Sequence, residues 1–373
     1  MVGMVAPGVT TDLLAAVVRG DPVDDRVLAE YDPEEFCRHA ARHDVLPLVA
    51  YQLAGRDGVP APLRSMLRQR ANEAVVADLL RESELKLALA ELGKAGVSPL
   101  IIKGGQLAFS HYPRPDLRPR EDTDILIPAS ARSTVHDALL RAGYTPSGQM
   151  SGELVAYQAC YVKRRQDVLS HVLDVHWKIA NSQVFAGFLS YDELSSAAVP
   201  LPRLAPSARG LSDLHALLLA CVHRVAHHYD SDHLVWLYDI HLIARGLTGA
   251  GWEGFIALAA ERKVVGVCRR SLERAVQAFR TVVPAGVWTD SRFIVLPGSE
   301  LTAGYLEHRR HAQVIADDLR ALPTWADRWQ LLREHLFPPA EYMRNVYSPA
   351  SQVPLLFLYA RRLMRGGGKW LGR

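Results

Sequence analysis

Three aspartates have the residue type and spacing that could do chemistry. Asp122 and Asp124 stand two apart at the start of the apolar run 123–127. Side chains two apart on a strand point the same way, so this pattern puts two carboxylates on one face. Like charges at that distance repel, and something positive must offset the repulsion. A magnesium or manganese ion does so, because hard divalent cations take oxygen ligands and pair with phosphates. Asp174 lies in a second apolar run, 172–179. If that strand lies beside the first, three carboxylates meet. Such a set can hold two ions that clamp the attacking and leaving oxygens of an in-line displacement. An isolated Asp-x-Asp is commonly only a solvated strand end. The Lys-Gly turn and Arg-rich loop before it, and the later embedded Asp174, favour the metal site.

The phosphate side falls on Lys103, Gly104 and Gly105, between the short apolar strand 97–102 and a predicted helix over 106–112. Glycines admit close approach of a ligand, a helix N-terminus offers free N–H groups to an anion, and Lys103 adds a point charge. The GxxxxGK[ST] spacing of a P-loop is missing. Arg118 and Arg120 precede Asp122; they could contact phosphate or pair with Asp116 and Glu121.

These residues require elements that position them. Apolar spacing predicts helices through about residues 10–95, ending in a long amphipathic helix over 62–95 with one buried face and Gly93 and Gly96 at its stop. After Gly96 the pattern changes to strands over 97–102, 123–127, 154–162 and 172–179. A helix is predicted over 130–142, with Ser130 as its N-cap and Gly143 as its stop. Pro200, Pro202 and Pro206 mark a boundary loop, and the helical pattern returns at 211–228 and 234–245. The expected organisation is an N-terminal helical region (1–95), an α/β core (96–200) and a C-terminal helical region (201–373). The expected fold class is α+β.

The run Ile101-Ile102-Lys103-Gly104-Gly105, then Tyr112-Pro113, Arg118, Asp122-Thr123-Asp124 and Leu173-Asp174-Val175-His176-Trp177, resembles the uncharacterised bacterial nucleotidyltransferase family of the DNA polymerase beta-like superfold. The resemblance extends to the preceding helical stretch and to residues 223–239. It implies a small mixed sheet with helices on one face, helical segments around it, and two-metal transfer from a nucleoside triphosphate to a protein or small-molecule acceptor. The wider superfold carries a Gly-Ser turn after its first strand. Here the serine is absent, which leaves Lys103 as its candidate replacement. Two other readings stay open: a metal-dependent phosphodiester hydrolase, and a non-catalytic nucleotide- or partner-binding module.

Six histidines lie between 215 and 241: His215, His223, His227, His228, His233 and His241. Packing against the sheet, a substrate contact, or a zinc site at the i, i+4 pair His223/His227 would each suit them, although no HExxH motif is present. Trp177, Trp236 and Tyr238 could stack on a base or belong to the core.

The bulk numbers set limits. The chain has 373 residues, a net charge of +3 and 49% apolar residues, as expected for a folded protein that handles phosphates without requiring nucleic acid. Its four cysteines, Cys37, Cys160, Cys221 and Cys268, form no CxxC pair, so free thiols are expected. No basic leader and no long apolar run appear, and a cytoplasmic protein without a membrane span is expected. The basic C-terminal end, from Arg361 to Arg373, reads as a solvated tail or a weak anionic contact.

Overall fold

A computed structural model describes residues 9–147, 152–165, 168–296, 298–307, 311–347 and 353–371. The fold is a mixed α+β arrangement around one seven-stranded sheet. Its strands are β1 (Leu100–Ile101), β2 (Thr123–Leu126), β3 (Thr145–Ser147), β4 (Gln158–Arg165), β5 (Val168–His176), β6 (Val199–Pro200) and β7 (Arg209–Gly210). They lie in the order β3-β4-β5-β2-β1-β7-β6. The two central neighbours β2 and β5 run parallel, with Asp124 registered against Asp174. β1 is antiparallel to β2 and parallel to β7. Residues beyond Pro200 therefore return to the sheet through β7.

The alternation of side chains divides the sheet between two cores. Ile101, Ile125, Ile127, Leu173 and Val175 point to one face, where they pack with Leu85, Ala88, Leu89 and Leu92 of the long helix and Val135, Ala138 and Leu139 of helix Arg132–Arg141. Leu100, Ile102 and Leu126 point to the other. There they join a larger core built jointly by the N-terminal helices and by helices Asp213–Ala226, Leu234–Gly246 and Val265–Phe279. Helices thus cover both faces, where the resemblance implied one. The reason is apolar residues on both sides of β1 and β2, which need cover on both sides. Among the described residues, no helix is long and apolar enough to cross a membrane. The four cysteines are free thiols, with Cys160 half-buried and the others buried. The basic C-terminal segment forms a helix, Leu355–Leu371.

Several local expectations change. Lys103, Gly104 and Gly105 are the first turn of helix Lys103–Ser110 rather than a separate turn before it. Lys103 adopts a positive φ of 54°, which swings the chain from strand to helix with only Ile102 between them. Ser130 lies in a 3-10 turn, and the N-cap of the following helix is Ala131, with no side-chain bond. Gly143, at φ 84°, does stop that helix. The β4–β5 hairpin extends further into charged sequence than its apolar pattern suggests, because Lys163 (2.8 Å) and Arg165 both reach buried Glu84 on the long helix. The long helix, Ala61–Lys94, does not keep one apolar face: Val76, Leu79, Leu80 and Leu87 are exposed. Its inner positions at mid-length are Ala74, Ala77, Asp78 and Arg81, which line an open cleft instead of a core.

Candidate active site

The cleft, about 600 Å³ in volume, has the strand ends of β2 and β5 as one wall. Asp124 and Leu126 share the face turned toward helix Asp213–Ala226, and the β2–β5 register brings Asp174 and His176 onto it. Asp122, one residue before β2, faces the same cleft and is half-buried. All three sequence-predicted aspartates therefore come together. Asp124, Asp174 and His176 offer ligand atoms within 4.8 Å of one another.

Their charges are unevenly met. Asp124 accepts from Lys103 Nζ at 2.6 Å and from His176 Nε2 at 2.7 Å. Burial alone would raise its pKa, but Lys103 and His176 prevail and hold the carboxyl well below the usual range. Asp122 is pushed up to about 7 by burial, with the charges of Asp124 and Asp174 adding to the shift. Asp174 is also raised, chiefly by burial, against a hydrogen bond from the Cys160 thiol. Gln158 Nε2 donates to its Oδ2 at 3.3 Å, whereas its buried Oδ1 has no partner. A buried carboxylate oxygen without a donor is costly. Three carboxylates facing one lysine form a donor set that a hard divalent cation satisfies, so the residues present fit such an ion.

His176 is a site residue that the sequence reading passed over. It is buried, and its own pKa is lowered by burial and by Lys103. As a neutral ring its Nε2–H donates to Asp124, which fixes that carboxylate. The signal was available: His176 is two residues from Asp174, the same spacing that singles out Asp122 and Asp124.

Beside the carboxylates, the first turn of helix Lys103–Ser110 faces the cleft through Lys103, Gly104 and Gly105. Both glycines have a packing reason. A Cβ on Gly104 would stand 2.9 Å from the Arg118 guanidinium, and one on Gly105 would stand 3.3 Å from Ile101.

Arg118 and Arg120 are not free for a ligand. The Arg118 guanidinium donates to both carboxylate oxygens of Asp239, at 2.8 to 3.1 Å, and to the Pro119 carbonyl. Tyr112 donates its hydroxyl to the same aspartate at 2.7 Å. Arg120 pairs with Asp78 at 2.7 Å. Neither arginine takes the neighbouring acid, Asp116 or Glu121, that sequence proximity suggested. Asp239 thus serves both Arg118 and Tyr112.

The histidines divide. His215 and His241 lie apart, on Ser212 and Thr281 respectively. His223, His227 and His228 line the cleft with Trp236. Trp236 stacks with His228 at 3.7 Å and with His233 at 4.4 Å. Burial, followed by Lys103, lowers all three cleft histidines, His227 to about 3 and His228 to about 4. They are neutral donors or acceptors near pH 7. Among the described residues, they do not form a three-ligand metal group. Trp177 packs at the edge of the sheet core beneath Arg132, and Tyr238 packs in the larger core against Tyr112.

A small mixed sheet that presents carboxylates from two parallel neighbouring strands to an open cleft defines an α+β protein with a centre suited to a divalent cation. More specifically, the chain belongs to a family of nucleotidyltransferases. The model of an uncharacterised nucleotidyltransferase family matches residues 29–280, more than half of the chain. That span holds every cleft residue described above. No curated protein matches the chain.

Proposed function

We propose that the protein moves a nucleoside monophosphate group from a nucleoside triphosphate to a hydroxyl or amine acceptor, a protein or a small molecule, with release of pyrophosphate. The observation that carries this reading is the register pairing of Asp124 with Asp174 on parallel neighbours, with a buried Asp174 oxygen left unpartnered. A cleft of this size suits a nucleotide.

Asp122, Asp124 and Asp174 would hold magnesium or manganese. Bound there, the ions would supply charge neutralisation and alignment for an in-line displacement at the α-phosphorus. His176 orients Asp124. Lys103 and the N–H groups of Gly104 and Gly105 face the β- and γ-phosphates from the positive end of their helix. Arg118, fixed by Asp239, buttresses that helix at Gly104 and is a positioning residue. The acceptor oxygen or nitrogen forms a bond to the α-phosphorus, the bond from that phosphorus to the bridging oxygen breaks, and the electron pair leaves with pyrophosphate. The acceptor's proton passes to Asp174.

Pyrophosphate release from each of the four nucleoside triphosphates, assayed with magnesium and with panels of hydroxyl and amine acceptors, tests the reading. Asp174→Ala should abolish release and keep much of the nucleotide binding. Full activity in that variant would remove Asp174 from the chemistry. Cleavage of a phosphodiester without any triphosphate would replace transfer by hydrolysis.

A further inference from the structure

The cations of the cleft separate into engaged and free. Lys103 sits on Asp124 at 2.6 Å, Arg118 on Asp239 at 2.8 Å, and Arg120 on Asp78 at 2.7 Å. Arg81 also lines the cleft, yet among the described residues it makes no hydrogen bond or ion pair. The carboxylates that act on it from a distance are Asp78, Glu121 and Asp122. The residue is half-buried, and a charge removed from water without a partner is unfavourable.

The position of Arg81 on its helix makes the same point. The inner face of the long helix buries Leu63 and Leu67 at one end and Leu85, Ala88, Leu89 and Leu92 at the other. Between them the apolar stripe gives way to alanines, Asp78 and Arg81, over the length that crosses the cleft. Arg81 there faces the cleft rather than a core, and an anion in the cleft would supply the counter-charge it lacks. Arg81 is also the arginine whose fork is open to bind two oxygens of a phosphate side by side.

We propose that Arg81 binds the polyphosphate chain of the nucleotide, from the long helix that lines the cleft. It thereby adds a second grip to that of the serine-less Lys103 turn. The assignment rests on the transferase reading of the same cleft. It places a substrate contact on a helix that precedes the sheet in the chain.

The test is calorimetric titration with magnesium tripolyphosphate, with a non-hydrolysable triphosphate analogue and with the matching monophosphate. It compares wild type, Arg81→Gln and Arg81→Lys, each checked by its melting temperature. Arg81→Gln should weaken tripolyphosphate and triphosphate binding by at least about tenfold. Monophosphate binding and melting temperature should stay as in wild type, and Arg81→Lys should recover part of the loss. Equal tripolyphosphate affinity in wild type and Arg81→Gln would overturn the assignment and leave the transferase reading standing. An equal loss for monophosphate and triphosphate would also overturn it, because Arg81 would then shape the cleft rather than grip the phosphates. Failure of wild type to bind any of the three would overturn both.

Discussion

Two charged assemblies lie side by side on the segment from Arg118 to Asp124, and they are built on opposite principles. In the first, each charge is matched: Arg118 takes Asp239 and Arg120 takes Asp78. In the second, Asp122, Asp124 and Asp174 share one lysine, and a buried carboxylate oxygen has no donor. In the first assembly each charge has a counter-charge, and these pairs hold the walls in place. On the proposed reading, a divalent cation completes the second. Breaking a matched pair should therefore cost stability, and thinning the unmatched set should cost function.

The widest separation of the two should come from Asp122→Asn and Asp174→Asn, whose raised carboxyl pKa values mark charges the fold does not need. Each should lower turnover by about a thousandfold, with the melting temperature equal to or above that of the metal-free wild type. A lowered melting temperature would move these aspartates into the structural assembly. The reverse case is Asp239→Ala, which leaves a buried guanidinium unpaired and should cost about 3–5 kcal/mol of stability by denaturant unfolding. Unchanged stability there would show that the matched pair is not structural. Gly104→Ala should cost about 1–3 kcal/mol, because the new methyl meets an arginine that Asp239 holds in place. If the same substitution in an Asp239→Ala background costs as much, the Arg118 contact is not the cause.

The smallest effect concerns pH. The Asp122 pKa is raised from 3.8 to about 7 in the folded, metal-free protein. Between those values the folded state binds more protons than the unfolded state, so this group's contribution to stability falls as pH rises. Magnesium competes with the same proton. Its stabilisation of the fold, read as a melting shift, should therefore grow from pH 6 to pH 8. Asp122→Asn should flatten that growth and change metal-free stability by about 1 kcal/mol or less, in the favourable direction. A magnesium shift independent of pH in the wild type would contradict the raised pKa.

The parts legible in the sequence are those set by local spacing. The two-residue separation of Asp122 and Asp124 predicts a shared face, and Gly96 and Gly143 mark real helix stops. The α+β class follows from the switch of periodicity after Gly96. Strands β3, β6 and β7 have only two or three residues each, too few to show a period of two. The Arg118–Asp239 pair joins residues 121 apart, and neither residue carries a local sign of the other. His176 and Arg81 were legible by rules already in use. One repeats the two-residue spacing of the carboxylates; the other breaks the apolar stripe of its helix. The reading of one buried face over 62–95 instead placed Leu79 and Leu80 inside, because periodicity alone does not reveal that a helix spans a cleft.

The most direct test is calorimetric titration of non-hydrolysable ATP, GTP, CTP and UTP analogues, with and without magnesium, into wild type and the double variant Asp122→Asn/Asp124→Asn. The account predicts magnesium-dependent binding of at least one analogue to wild type and its loss in the double variant. Binding that persists without magnesium, or survives removal of both carboxylates, would contradict it.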